Sequence, residues 1–171
     1  MIFFRKTKVF EFKPNDLTVN ATWSFLSHRF RPLSGKKISI LGAGNIGSKL
    51  ALKLVESGAE VHLYRRDYYK GRHIVNSLNL IKPEGVSARI YFHQNKVQAS
   101  LLCDILIGTS NGYPVIDSNV VNSLKKNCLI VDLGKNNLTR DAIECAKKHS
   151  MEIWRADVTP AIESHIYEVL K

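Results

Sequence analysis

With 171 residues, 44% of them apolar and 23% charged, the chain has the composition of one globular domain with a sizeable core, and two full domains would be cramped. A formal charge of +10 and a pI near 9.6 suit an anionic ligand, an acidic partner or nucleic acid. There is no dense basic run, no basic stretch interleaved with aromatics and no zinc-ligand spacing, so most of this charge reads as solvated surface and nucleic acid is disfavoured.

Cys103, Cys128 and Cys145 are widely spaced and odd in number, which fits neither a disulfide framework nor a metal motif. Cys128 opens an apolar run and Cys145 lies on a helical apolar face, so both read as small core residues in a reducing, cytoplasmic compartment. Met1-Ile2-Phe3-Phe4 is broken at once by Arg5, Lys6 and Lys8, so no signal peptide is expected, and no apolar run is long enough to cross a membrane.

Residues 1–34 read as a short extension of one strand and one helix, ahead of a main domain at 35–171. Val9-Phe10-Glu11-Phe12 is strand-like and is stopped by Pro14. Asn15 or Asp16 can cap a helix in which Val19, Trp23, Leu26 and Phe30 recur at helical spacing. Those aromatics share one stripe, which marks them as core. Arg31-Pro32-Leu33-Ser34-Gly35 is a turn.

Lys37-Ile38-Ser39-Ile40-Leu41 then reads as a buried strand running into Gly42-Ala43-Gly44-Asn45-Ile46-Gly47. An amphipathic helix follows, with Ile46, Leu50, Ala51 and Leu54 on one face and Gly58 at its end, before Glu60-Val61-His62-Leu63-Tyr64 restarts a strand. Strand, glycine turn, helix and strand make the βαβ unit in which a dinucleotide pyrophosphate rests on a helix N-terminus. Gly42 permits the sharp turn, Gly44 lets backbone approach the pyrophosphate, and Gly47 lets the helix pack closely.

The second strand ends in Tyr64, Arg65 and Arg66. An NAD site usually carries a carboxylate roughly 20 residues past the glycines, to bind the adenosine ribose. A guanidinium instead forks onto a 2′-phosphate, which favours NADP over NAD, while Asp67 lies past the expected position and can orient an arginine.

Further elements follow in alternation. A helix carries Ile74, Leu78 and Ile81 inward and ends before Pro83, and Ala88, Ile90 and Phe92 alternate as an edge strand. A short helix over Asn95 to Leu102 leads to a strand at 104–108; Asp117 caps a helix with Val120, Val121 and Leu124; a strand occupies 128–132. Thr139 starts a helix with Ala142, Ile143 and Ala146 inward, 151–154 is a sixth strand, and Thr159-Pro160 opens a last helix with Ile162, Ile166 and Val169 on one face. The pattern predicts an α/β fold, a doubly wound parallel sheet of six strands in the order 3-2-1-4-5-6. Two loops at the strand ends stand out: Gly108-Thr109-Ser110-Asn111-Gly112-Tyr113-Pro114, facing a nicotinamide ribose, and Asp132-Leu133-Gly134-Lys135-Asn136-Asn137, near a nicotinamide. Ordinary turn chemistry accounts equally well for their composition.

Residues from about Leu33 to Asp157 resemble the NADP-binding domains of the shikimate dehydrogenase, glutamyl-tRNA reductase and methylene-tetrahydrofolate dehydrogenase group. The likeness rests on the glycine turn 42–47, the arginines after the second strand, Cys103 to Gly108, Pro114-Val115-Ile116 and Val131-Asp132-Leu133-Gly134. The helix and Gly35-Lys36-Lys37 ahead of the first strand are also similar to the way amino-acid dehydrogenases enter this domain. The resemblance implies a Rossmann domain whose cofactor contacts fall on Gly42 to Gly47, Tyr64 to Arg66, Thr109 to Asn111 and Gly134. Enzymes of that group carry a separate substrate domain, which in shikimate dehydrogenases supplies a catalytic lysine and aspartate, and residues 1–34 are too short to replace it.

The expectation is an NADP-binding oxidoreductase, or its cofactor-binding half, acting on a small molecule. The substrate wall would come from a homodimer or a partner chain; the alternative is a non-catalytic dinucleotide sensor. A proton donor near the nicotinamide is needed for hydride transfer to a carbonyl or imine. Lys135 is the candidate, with Asp132 in the same loop and Asp157 and His165 after the sixth strand. The remaining histidines show no ligand spacing, and no metal is expected.

Overall fold

In the computed structural model, which describes residues 13–134 and 136–156, the sheet grows outward from its centre. The strand β1 (Lys37–Leu41) buries residues on both faces, as a central parallel strand must. It pairs with β2 (Glu60–Tyr64) on one side and β4 (Ile105–Gly108) on the other. The edge strands β3 (Ile90–His93) and β6 (Ile153–Arg155) lie outside β2 and β5 (Leu129–Asp132). The order is β3-β2-β1-β4-β5-β6 and every pairing is parallel, as the alternation of elements predicts. The chain reverses direction across the sheet between β1 and β4, which opens a crevice at their C-terminal ends.

One face is covered by α1 (Pro14–Arg29), α2 (Asn45–Glu56) and α3 (Tyr68–Ile81), whose Val19, Leu26, Leu50, Leu54 and Val75 pack on Ile38, Ile40, Val61 and Leu63. The other is covered by α4 (Lys96–Ser100), α5 (Ser118–Asn122) and α6 (Arg140–Lys148), with Ala99, Val120, Val121 and Ala142 against Leu41, Leu106 and Ile130. Asn95, Asp117 and Thr139 cap these three helices through their side chains. Gly58, at φ +83°, ends α2: its N–H and that of Ala59 bond back to Val55 and Leu54.

Two local expectations give way to the structure. α1 begins at Pro14 rather than after Asn15 or Asp16, because proline at the first helical position needs no N–H partner and brings its own helical φ. In α3 Gly71, Val75 and Leu78 are buried and Ile74 packs on the core as expected, while Ile81 is exposed. Cys128 is core, as expected, and Cys145 is only half-buried, with its thiol on the Asn122 side-chain oxygen.

α1 reaches across the sheet. Trp23 Nε1 donates to the Ser57 hydroxyl at 2.9 Å, and the Phe25 ring stacks on Trp154 of β6 with centroids 3.9 Å apart and planes within 6°. At the opposite edge a polar chain ties β3 to β2: Glu60 Oε1 lies 2.7 Å from His62 Nε2, and His62 Nδ1 lies 2.7 Å from His93 Nε2. Burial pushes both imidazoles below the ordinary histidine pKa, with Glu60 opposing the shift at His62.

The strand expected at Val9–Phe12 and the helix expected from Thr159 lie outside the described residues, as do Lys135, Asp157 and His165. Among the described residues no helix is long and apolar enough to cross a membrane.

Candidate functional site

Leu41 and Gly108 end neighbouring strands, and the chain leaves both in turns that lock together. Gly42 sits at φ +130°, a conformation that L side chains rarely adopt, and an added Cβ would lie 2.6 Å from Thr109 Oγ1. That hydroxyl donates to the Gly42 carbonyl at 2.6 Å, while the Thr109 N–H bonds the Leu41 carbonyl. A Cβ on Gly47 would collide with the same Gly42 carbonyl, so the first turn of α2 can sit this close only as glycine. Gly44 differs: a Cβ there meets nothing within 4 Å. It occupies the N-cap position of α2 with no side chain capping the helix, so the first-turn N–H groups lack an internal partner at a site where backbone faces open space.

That space is a cavity of about 590 Å³, within the size range of small-molecule sites. Gly42, Ala43, Gly44, Tyr64, Arg65, Arg66, Thr109, Ser110 and Asn111, all singled out from the sequence, line it. Asn45, Ile46 and Gly47 form the adjoining first turn of α2. Gly134 stands behind the rim, where a Cβ would strike the Ser110 carbonyl.

The two arginines do different jobs. Arg65 is half-buried and its Nη1 donates to the Ala43 carbonyl, bracing the glycine turn, while its Nε is buried with no partner among the described residues. Arg66 is exposed, with its guanidinium 4.9 Å above the Tyr113 ring. Asp67 also lines the cavity, and it caps α3, its Oδ1 accepting from the Lys70 N–H at 3.0 Å.

The loops after β4 and β5 are joined by Asn137, a fully buried residue that the sequence did not mark as special. Its Oδ1 accepts from the Ser110 N–H at 2.9 Å and from the Ser110 hydroxyl, while its Nδ2 donates to the Gly108 carbonyl at 3.1 Å and to Asp132 Oδ1 at 2.5 Å. The Gly134 N–H also bonds Asp132 Oδ1, so the Asp132 carboxylate serves the turn. Thr109 and Ser110 likewise spend their hydroxyls inside the protein, on Gly42 and on Tyr113 and Asn137, instead of offering them to a ribose. Lys96, which the sequence left unmarked, also lines the cavity and pairs with Asp117 at 2.7 Å. Burial raises the Asp117 pKa, but Lys96 and the Val120 N–H outweigh it and hold the carboxyl below its ordinary value. The one signal for Lys96 was its place just past a strand end. Among the described residues no group of three or more His, Cys, Asp or Glu side chains is placed to hold a metal ion.

The family model for shikimate / quinate 5-dehydrogenase matches residues 24–153. The chain belongs to the shikimate/quinate 5-dehydrogenase family. This member's six-stranded sheet is the NAD(P)-binding Rossmann domain of dehydrogenase-family proteins. Solved structures agree on the fold. A dipicolinate synthase structure from Bacillus halodurans aligns with a TM-score of 0.65 at 16% identity, over 92% of this chain and 57% of that one. L-tryptophan dehydrogenase from Nostoc punctiforme gives 0.60 at 18%, over 82% and 41%. A chorismate mutase/shikimate 5-dehydrogenase fusion protein from Clostridium acetobutylicum gives 0.57 at 15%, over 81% and 48%. This family member therefore spans about half the length of the structures it matches. No curated protein matches its sequence.

Proposed function

We propose that this chain is the NADP-binding half of an oxidoreductase acting on a small molecule, with the pyrophosphate at Gly44 and the 2′-phosphate on Arg66. The observation that carries the cofactor choice is the division of labour after β2. Asp67, the nearest carboxylate, also lines the cavity but has one oxygen capping α3, while Arg66 stands exposed beside the cavity with the N–H edge of its fork available. The fit of a dinucleotide is further supported by the open space at Gly44 and by the orphaned Nε of Arg65, a buried donor that a ligand oxygen would satisfy.

In this reading Arg65 shapes the glycine turn and Arg66 selects the phosphate. Charge-assisted hydrogen bonds are worth roughly 1.5–3 kcal/mol each, so NADPH should bind about tenfold to a hundredfold more tightly than NADH. Arg66→Asp should remove that preference. Equal affinity of the unaltered chain for both cofactors, measured by calorimetry, refutes the assignment.

The site wall described here covers one side of a nicotinamide only. Hydride transfer needs the substrate held at near-attack distance with water excluded. We therefore assign the second wall to another chain, either a second copy or a partner, and keep Lys135 as the candidate proton donor. A substrate panel assayed on protein that light scattering shows to be monomeric should give negligible turnover; robust turnover there contradicts this part of the proposal.

A further inference from the structure

Three charged residues form one row at the end of the sheet opposite the cofactor crevice. Lys37 opens β1 in register with Glu60 of β2, and the pairing of Val61 with Ile90 places Arg89, just ahead of β3, beside Glu60 in turn. Residues paired across parallel strands point to the same face. The row therefore reads cation, carboxylate, cation, with neighbouring strands about 4.8 Å apart. It lies about 13 Å along β1 from Leu41, where the cofactor turn begins. α4 covers this face with only five residues, and Tyr91, two places beyond Arg89, stays 42% exposed.

Such a row ordinarily closes on itself through its own ion pairs, and here it does not. The Glu60 carboxylate turns along its strand to His62, with Oε1 on Nε2 at 2.7 Å. The ion pairs among the described residues include neither Lys37 Nζ nor the Arg89 guanidinium. Lys37, Glu60 and Arg89 instead border one cavity of about 410 Å³, together with Ser34, Ser87 and Tyr91. That volume is in the range of small-molecule sites. It shares no lining residue with the cofactor cavity.

The order of charges selects the ligand. A simple anion would suit the two cations and be repelled by Glu60, and a dicarboxylate would set two like charges against it. An acidic α-amino acid has the complementary order, an ammonium on the carbon chain between two carboxylates. We infer that this cavity binds an acidic α-amino acid, its carboxylates on Lys37 and Arg89 and its ammonium on Glu60. The guanidinium can fork onto one carboxylate, Lys37 meets the other as a point charge, and the Ser34 and Ser87 hydroxyls are further donors to the same oxygens. The site goes beyond the dinucleotide reading and is independent of it.

The test follows amide chemical shifts of the isotope-labelled full chain during titration with L-glutamate, with glutarate, which lacks the ammonium, with L-alanine, which lacks the second carboxylate, and with inorganic phosphate. L-Glutamate should give saturable shifts centred on Gly35, Gly58, Glu60 and Arg89, and the other three should bind at least about tenfold more weakly. Arg89→Gln and Lys37→Gln should each weaken L-glutamate by about 10- to 100-fold. The melting curve of Arg89→Gln should not move, since that side chain is exposed. In Glu60→Gln, L-glutamate and glutarate should bind within about twofold of each other, a comparison inside one variant that any change in folding leaves intact. The site is overturned if no saturable shift appears by about 20 mM L-glutamate, or if both cation variants bind it undiminished. Glutarate or phosphate binding as tightly as L-glutamate overturns the amino-acid assignment, and so does a preference for L-glutamate that survives in Glu60→Gln.

Discussion

Replacing Asn137 by alanine tests whether one buried amide holds the two site loops together. Four hydrogen bonds disappear, but their costs differ. The Gly108 carbonyl still accepts from the Leu133 N–H, Asp132 Oδ1 still accepts from Gly134, and the Ser110 hydroxyl retains the Tyr113 carbonyl. The Ser110 N–H alone is left without a partner, a penalty of about 1–3 kcal/mol. Loss of the charge-assisted bond to Asp132 adds roughly 1.5 kcal/mol or more, so the variant should be destabilised by about 3 kcal/mol. For a domain of this size that is a fall in Tm of roughly 6–12 °C. Urea unfolding should show a lower midpoint with an unchanged slope, because the compactness of neither end state changes. Asn137→Asp should not rescue stability, since it sets a second carboxylate against Asp132. A loss under about 1 kcal/mol in Asn137→Ala would show that the loops are held by their backbone bonds and that the amide is incidental.

Two further perturbations separate binding from folding. Gly44→Val fills open space and should abolish NADPH binding with the melting curve nearly unmoved, whereas Gly47→Ala drives a carbon into the Gly42 carbonyl and should lower stability itself; the reverse pattern in calorimetry and thermal melts would contradict the placement of the pyrophosphate. The edge chain gives a pH signature. His62 and His93 are held below their ordinary pKa, so the unfolded chain takes up protons first: stability from this source is complete above about pH 6.5 and is lost as pH falls through the folded values. The urea midpoint should drop between about pH 7.5 and about pH 5.5, and by less in His93→Gln; an identical drop in that variant rules the histidines out as its cause.

The sheet was readable because parallel strands covered on both faces leave contiguous apolar runs. Ile38 to Leu41 and Ile105 to Ile107 could be nothing else once glycine turns and helical stripes surrounded them. The glycine turn was readable for a steric reason, since a Cβ on Gly42 or Gly47 would crowd the Thr109 hydroxyl and one on Gly44 would meet nothing within 4 Å. What escaped was polar and long-range. That Arg65 braces Ala43 while Arg66 stays free depends on which neighbour each guanidinium reaches in space, and two adjacent arginines look alike in a sequence. Asp67 looked like an arginine's partner and is a helix cap. Asn137 read as one more turn residue because its partners lie on two stretches, Gly108 and Ser110 around the end of β4 and Asp132 at the end of β5.

The docking of α1 has a consequence for how this protein can be observed. The chain has two tryptophans, and both sit where α1 meets the rest of the molecule: Trp23 against Ser57, and Trp154 under Phe25. Their contacts join stretches 34 residues apart in the first case and, through the neighbouring Arg29–Glu152 pair, 123 residues apart in the second. Intrinsic fluorescence therefore watches a single seam. In a stopped-flow experiment it should register the clasping of α1 across the β6 edge, a separate event from the growth of the central strands that far-UV circular dichroism follows.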